Sequence, residues 1–154
     1  MGLQEPESVS ENTAMSKKIQ LIYVSDLAPG QEEALPAILA TSVRRNAQDG
    51  LTGMLLYAGG NIMQVLEGEE EAVRRTYARI GQDPRHHNAI VIADEEITER
   101  SFPDWRMGYR QLSPEVVRSV PRFAPFFQVG FRLDAIQAHP GVAKDMLVFF
   151  ATHG

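Results

Sequence analysis

The sequence contains no cysteine, which excludes a disulfide framework, thiolate metal sites and cysteine nucleophiles together. A surplus of basic charge is also missing: 15 Lys and Arg are interspersed with 20 Asp and Glu, for a formal net charge of −5. No basic stripe forms, so direct nucleic-acid binding is not expected. No apolar run approaches the length of a membrane span, and the N-terminus lacks the basic-then-apolar pattern of a secretion signal. The expectation is a cytoplasmic protein without a membrane partner. With 154 residues, 44% of them hydrophobic and 23% charged, the composition is globular and suits one domain rather than two.

Residues 1–16 (MGLQEPESVSENTAMS) are polar, acidic and without periodicity, and read as a disordered tail. A regular rhythm then begins. Ile19–Ser25 reads as a strand ending in the Pro29-Gly30 turn, and residues 35–47 as a helix with Pro36 in its first turn. Leu51–Tyr57 and Asn61–Glu67 read as strands joined by the turn Ala58-Gly59-Gly60. Glu69–Gln82 has a helical stripe of Ala72, Val73, Thr76, Tyr77 and Ile80. A fourth strand is expected near Ala89–Asp94 and a fifth near Trp105–Leu112. The order β-α-β-β-α-β-β, with two right-handed crossovers placing both helices on one face, predicts an α+β, ferredoxin-like fold with an added fifth strand. Its first and third strands are expected to be central and parallel.

From Ser113 the texture changes to four prolines and six phenylalanines: Phe123, Phe126, Phe127, Phe131, Phe149 and Phe150. Residues 113–154 read as a C-terminal helical extension, with an amphipathic helix over 142–152. Either it covers the sheet face that the two main helices leave bare, or it mediates oligomerisation and output. More aromatic surface than one small face needs would favour a homo-oligomer.

The informative anomalies are polar groups where aliphatic ones belong. On the first helix Leu35, Ile38, Leu39, Ser42, Val43 and Asn46 share one stripe, which aims Ser42 and Asn46 inward. Taken alone, Asn46 is most simply a helix-end cap. On the third strand Gln64 alternates onto the face of Ile62 and Leu66, opposite Met63, Val65 and Glu67. Alone, it could equally face solvent. Tyr23 sits on the first strand between Leu21 and Ser25, where a core tyrosine would be ordinary. If all three point into the layer between helices and sheet, they offer a phenol and two carboxamides to a flat ligand with alternating donors and acceptors on one edge. A flavin ring is such a ligand.

The stretches IYVSD, TSVRRNAQDGLTGMLLYAGGNIMQVLEGEEEAVRRTYARIGQDPRHHN and ERSFPDWRMGY strongly resemble the BLUF family of blue-light sensors using FAD. The ordered combination of LTG-x-LLY, QVLEG, D-x-R-H and F-x-x-W-x-M carries the specificity. The resemblance covers residues 18–112 and implies a photosensor domain over 17–112 that binds FAD non-covalently between the two main helices and is not an enzyme. It implies Tyr23 as electron and proton donor, Gln64 as the switching amide, and Asn46 as an anchor for the ring's carbonyl edge. Arg79, Asp83 and Arg85 resemble positions near the ribityl chain, the phosphates and the C2 carbonyl, the first two on the second helix. Trp105 and Met107 resemble the pair that reports flavin state, with either facing the ring. Arg45 departs from the Asn or His usual before the anchoring Asn. A downstream signalling protein acting in trans is the implied partner.

Two other readings compete: an enzyme on this fold, whether acyl-phosphate hydrolase or flavin-dependent oxidoreductase, and a cofactor-free interaction module. The loop Ser25–Gly30 has no arginine or glycine-rich phosphate cradle, and there is no G-x-G-x-x-G. His86-His87 has no third ligand at useful spacing, so no metal is expected. Glu67–Glu71 reads as a solvated helix N-terminus.

Overall fold

Alternating apolar residues and glycine-marked turns fold into five strands in the computed structural model, which describes residues 17–153. The tail expected over residues 1–16 lies outside the described residues. The elements are β1 (Lys18–Leu27), α1 (Leu35–Asp49), β2 (Thr52–Ala58), β3 (Asn61–Glu69), α2 (Glu70–Gly81), β4 (His86–Ile97), β5 (Gly108–Gln111), α3 (Pro114–Arg118), α4 (Leu133–Ala138) and α5 (Gly141–Thr152). The sheet order is β4-β1-β3-β2-β5, the ferredoxin-like arrangement with a fifth strand added beside β2.

β1 and β3 are the central pair, but they run antiparallel rather than parallel. The crossover through α1 makes β2 run with β1, and the tight β2–β3 turn reverses the chain. β3 must therefore oppose both. Gly59 and Gly60 make that turn with φ of 52° and 93°, the pair of positive values a type I′ hairpin requires. β5 adds parallel to β2 and is shorter than expected, because Trp105–Met107 lie in the segment before it.

α1 carries Pro36 in its first turn, and Gly50 closes it in the left-handed region at φ 72°. It buries Leu35, Ile38 and Asn46, with Leu39 and Ser42 half-buried. Val43, expected on the same stripe, is 42% exposed. It sits on the flank, where the 3.6-residue period has carried the stripe past it. On α2 Ala72, Val73 and Thr76 are buried, and Tyr77 and Ile80 pack at the margin.

The sheet separates two cores. Leu21, Tyr23, Leu55, Ile62 and Leu66 face the main helices and meet Leu35, Ile38, Ala72 and Val73. Ile22, Met54, Leu56, Met63 and Val65 face the other way and meet Phe102, Phe123, Phe131, Ile136, Met146, Leu147 and Phe150. The C-terminal segment is thus the second layer over the sheet. None of its six phenylalanines is exposed, which removes the surplus aromatic surface that suggested an oligomer.

The acidic run also divides. Glu70 and Glu71 sit in the first turn of α2, where carboxylates favour the helix dipole. Glu67 is not solvated: its exposure is 0%. It lies on the Met63–Val65 face, beneath residues 100–102.

Candidate functional site

Register places Tyr23 directly opposite Gln64, both on the helix side of the central strands and 0% and 2% exposed. The Tyr23 hydroxyl donates to Gln64 Oε1. The Gln64 Nε2 amide points at the Met107 thioether, 3.3 Å away. The tyrosine ring also packs edge-on against Tyr77, with centroids 5.2 Å apart. Burial, and then the neighbouring Tyr77 and Asp83, push its hydroxyl pKa well above that of a free phenol, so the ground state is the neutral donor.

Gln64 is one wall of a cavity of about 350 Å³ between α1 and α2, within the usual range for ligand sites. Ile38, Leu66 and Ile80 supply apolar surface; Ser42, Arg45, Asn46, Arg79, Asp83 and Arg85 line it as well. Tyr23 reaches it through Gln64. A larger hollow of about 680 Å³ lies between the β2–β3 turn and the C-terminal segment, but it lacks a comparable convergence of buried polar groups.

Asn46 does not cap its helix. Its side-chain amide crosses to the Arg106 carbonyl at 2.5 Å. Asp83 is not on α2 but in the turn after it, where Arg85 grips its carboxylate through Nε and Nη2 at 2.6–3.1 Å. That guanidinium holds the Asp83 carboxyl below the usual carboxylate range. Arg79 has no such partner among the described residues, and its pKa is lowered by burial and then by Arg45. Arg45 and Arg79, neither of them in an ion pair among the described residues although Asp49 acts on Arg79 from a distance, favour an anionic group at the cavity.

Trp105 and Met107 part company. Met107 is buried against Gln64, while Trp105 is 42% exposed and stacks near Gly108 and Met54 on the other side of the sheet. A Cβ on Gly108 would fall 2.6 Å from the indole.

Sequence reasoning missed two lining residues. The Thr76 hydroxyl is the one buried side-chain polar atom without a hydrogen-bond partner among the described residues. It was visible as a polar member of the α2 stripe. An orphaned hydroxyl, two carboxamides, apolar walls and free guanidiniums fit a flat heterocycle carrying phosphates, so the residues present suit FAD.

His86 is the other. Its Nδ1 lies 3.1 Å from Ser25 Oγ, a pairing that only the β1–β4 register creates. Burial holds its pKa below 6.5, with Asp83 opposing and Arg85 and His87 adding to the depression. A histidine harder to protonate folded than unfolded costs nothing well above pH 6.5. It withdraws stability as pH falls from there toward the depressed folded pKa. Thermal melts at about pH 7.5 and 5.5 should show a smaller acid-induced loss for His86→Gln than for wild type. Equal losses would remove His86 from the acid response.

The family model described as sensors of blue-light using FAD matches residues 19–108. The photoactivated adenylate cyclase subunit beta of Euglena longa is 39% identical over 97 residues, 62% of this chain and 11% of the relative. The blue light- and temperature-regulated antirepressor BluF of Escherichia coli K12 is 36% identical over 83 residues, 53% of this chain and 21% of the relative. The chain thus spans about a tenth to a fifth of these relatives' lengths. Among solved structures, BlsA in its ground state aligns with a TM-score of 0.73 at 27% identity, over 85% of this chain and 87% of the other. BlrB, a BLUF protein in its dark state, aligns at 0.65 and 29%, over 85% and 98%. With the family matched across more than half its length, on the strands and helices that build the Tyr23–Gln64 cavity, the chain belongs to the BLUF family of blue-light sensors.

Proposed function

We propose that this chain is a blue-light receptor that binds FAD non-covalently between α1 and α2, turns over no substrate and signals to a separate protein. The buried run from the Tyr23 hydroxyl through the Gln64 amide to the Met107 thioether, at a cavity wall, carries this reading. Asn46 and Ser42 would hold the ring's polar edge, Arg45 and Arg79 the phosphates, and the Asp83–Arg85 pair the remaining rim.

Bound FAD would supply a strong one-electron oxidant on absorbing blue light. Tyr23 cannot offer a phenolate, because burial holds its proton in place. It therefore gives up an electron readily only if the proton leaves with it, and Gln64 Oε1 is placed to receive that proton. The Gln64 side chain can both accept and donate. In the orientation seen, its carbonyl serves Tyr23 and its NH₂ serves Met107; reversed, its carbonyl would meet a thioether that cannot donate. The two orientations are therefore unequal, which a switch needs.

One changed hydrogen bond is worth about 0.5–1.5 kcal/mol, whereas a shift from 1:99 to 99:1 needs about 5.5 kcal/mol. Displacement of Met107 and its segment must amplify the change or leave the response graded. Output is assigned to a partner protein, while Phe123, Phe131, Ile136, Met146, Leu147 and Phe150 of the C-terminal segment cover the sheet. Among the described residues no helix is long and apolar enough to cross a membrane.

The test is optical. Purified protein should be yellow, and blue light should shift its flavin absorbance reversibly. Colourless protein favours the interaction module; bleaching with substrate turnover favours an enzyme. Gln64→Leu should remain yellow and lose the shift, since the apolar group fills the volume without relaying a proton. A full-amplitude shift in that variant would place the switching amide elsewhere.

A further inference from the structure

Glu67 is the buried acidic residue, among the described residues, that the light-sensing reading does not use. Cross-strand register puts Gln20 on one side of it and Thr52 on the other, with exposures of 2%, 0% and 3% for Gln20, Glu67 and Thr52. Its carboxylate accepts four hydrogen bonds. Oε2 takes Gln20 Nε2 at 2.7 Å and the Ser101 N–H at 2.8 Å; Oε1 takes the Phe102 N–H at 2.9 Å and the Thr52 hydroxyl at 3.3 Å. No cation lies within ion-pair distance of it among the described residues. Arg100 instead binds the Thr52 hydroxyl and the carbonyls of Glu67 and Gly50, at 2.8–3.3 Å. A buried carboxylate is tolerated when donors satisfy it, and here two of the four are consecutive backbone N–H groups of one irregular segment.

That segment ends at the flavin cavity. Gly53 N–H holds the Trp105 carbonyl at 2.9 Å, Asn46 holds the Arg106 carbonyl at 2.5 Å, and Gln64 meets Met107 at 3.3 Å. Residues 101–107 are thus fastened at both ends by β3 side chains three positions apart on opposite faces. Gln64 grips the cavity end and Glu67 the far end, where Phe102 is anchored in the C-terminal-side core.

We propose that Glu67 is a positioning residue for the photoswitch. It fixes Ser101 and Phe102, so that rearrangement at Gln64 moves only the Trp105–Met107 end and the segment returns along one path. This rests on the light-sensing reading. Without the clamp the pivot is lost, and the return of Met107 to Gln64 becomes slower.

The experiment compares wild type, Glu67→Gln and Arg100→Met as full-length, FAD-loaded proteins. Gln keeps the volume but turns an NH₂ toward donors. Glu67→Gln should keep its colour and light shift, exchange its Ser101 and Phe102 amides faster in the dark, and recover at least fivefold more slowly. Arg100→Met should move the same way by at least twofold, and it carries the test if Glu67→Gln does not fold. Val73→Ala, a core change on the helix side, controls for stability at matched thermal midpoint and should leave recovery within twofold of wild type. Unchanged or faster recovery in the folded variants, or unchanged Ser101–Phe102 exchange, overturns the clamp while leaving the light-sensing reading intact. Absence of any light shift in wild type overturns both.

Discussion

Tyr23→Phe is expected to bind FAD normally and to show no reversible light-induced shift. Only the hydroxyl is removed, from a side chain that is 0% exposed. The ring keeps its edge-on contact with Tyr77 and its place in the helix-side core. What disappears is the one group among the described residues that donates to Gln64 Oε1, and with it the coupled exit of electron and proton. Leaving that amide oxygen without its partner costs about 1–3 kcal/mol. A domain stable by about 5–15 kcal/mol survives that loss, so the variant should remain folded and coloured. Absorbance spectra before and after blue illumination decide the matter. A wild-type photocycle would remove Tyr23 from the donor role.

Ending the chain after Leu112 is expected to abolish soluble protein. Such a truncation strips Phe123, Phe131, Ile136, Met146, Leu147 and Phe150 from the sheet and exposes Ile22, Met54, Leu56, Met63 and Val65. Burial of a large aliphatic side chain is worth about 1.5–3 kcal/mol. Five of them newly bared amount to about 7.5–15 kcal/mol, comparable to the whole stability of an ordinary domain of about 5–15 kcal/mol. Attachments to the turn and to β5 would also go. The Val129 carbonyl lies 1.9 Å from where a Cβ on Gly59 would stand, and Arg110 reaches the His153 carbonyl. Soluble yield and a circular-dichroism melt test this directly. A soluble, cooperatively melting, photocycling fragment would show the segment to be an accessory and not a layer of the fold.

Much of the site was legible because it rests on short-range pattern. Strand alternation put Gln64 on the side of Ile62 and Leu66, and helical spacing put Asn46 on the stripe of Leu35 and Ile38; both are buried there. Thr76 was on the α2 stripe in plain view, but only tertiary packing shows that its hydroxyl has no partner. Glu67 was misread because a run of acidic residues reads as solvated, and the donors that bury it come from Ser101 and Phe102, more than 30 positions away.

By itself the sequence determined the element order, the hairpin at Gly59-Gly60, the faces of β3 and the α+β class, since each follows from periodicity or from a residue's own φ/ψ preference. The tertiary structure alone decided the antiparallel sense of β1 and β3, the inward turn of Met107 against the outward Trp105, the Ser25–His86 pairing and the role of the C-terminal segment as a second layer. Each of these depends on which strand lies beside which and on what covers a given face. Those are contacts between residues far apart in the chain, and local pattern carries no record of them.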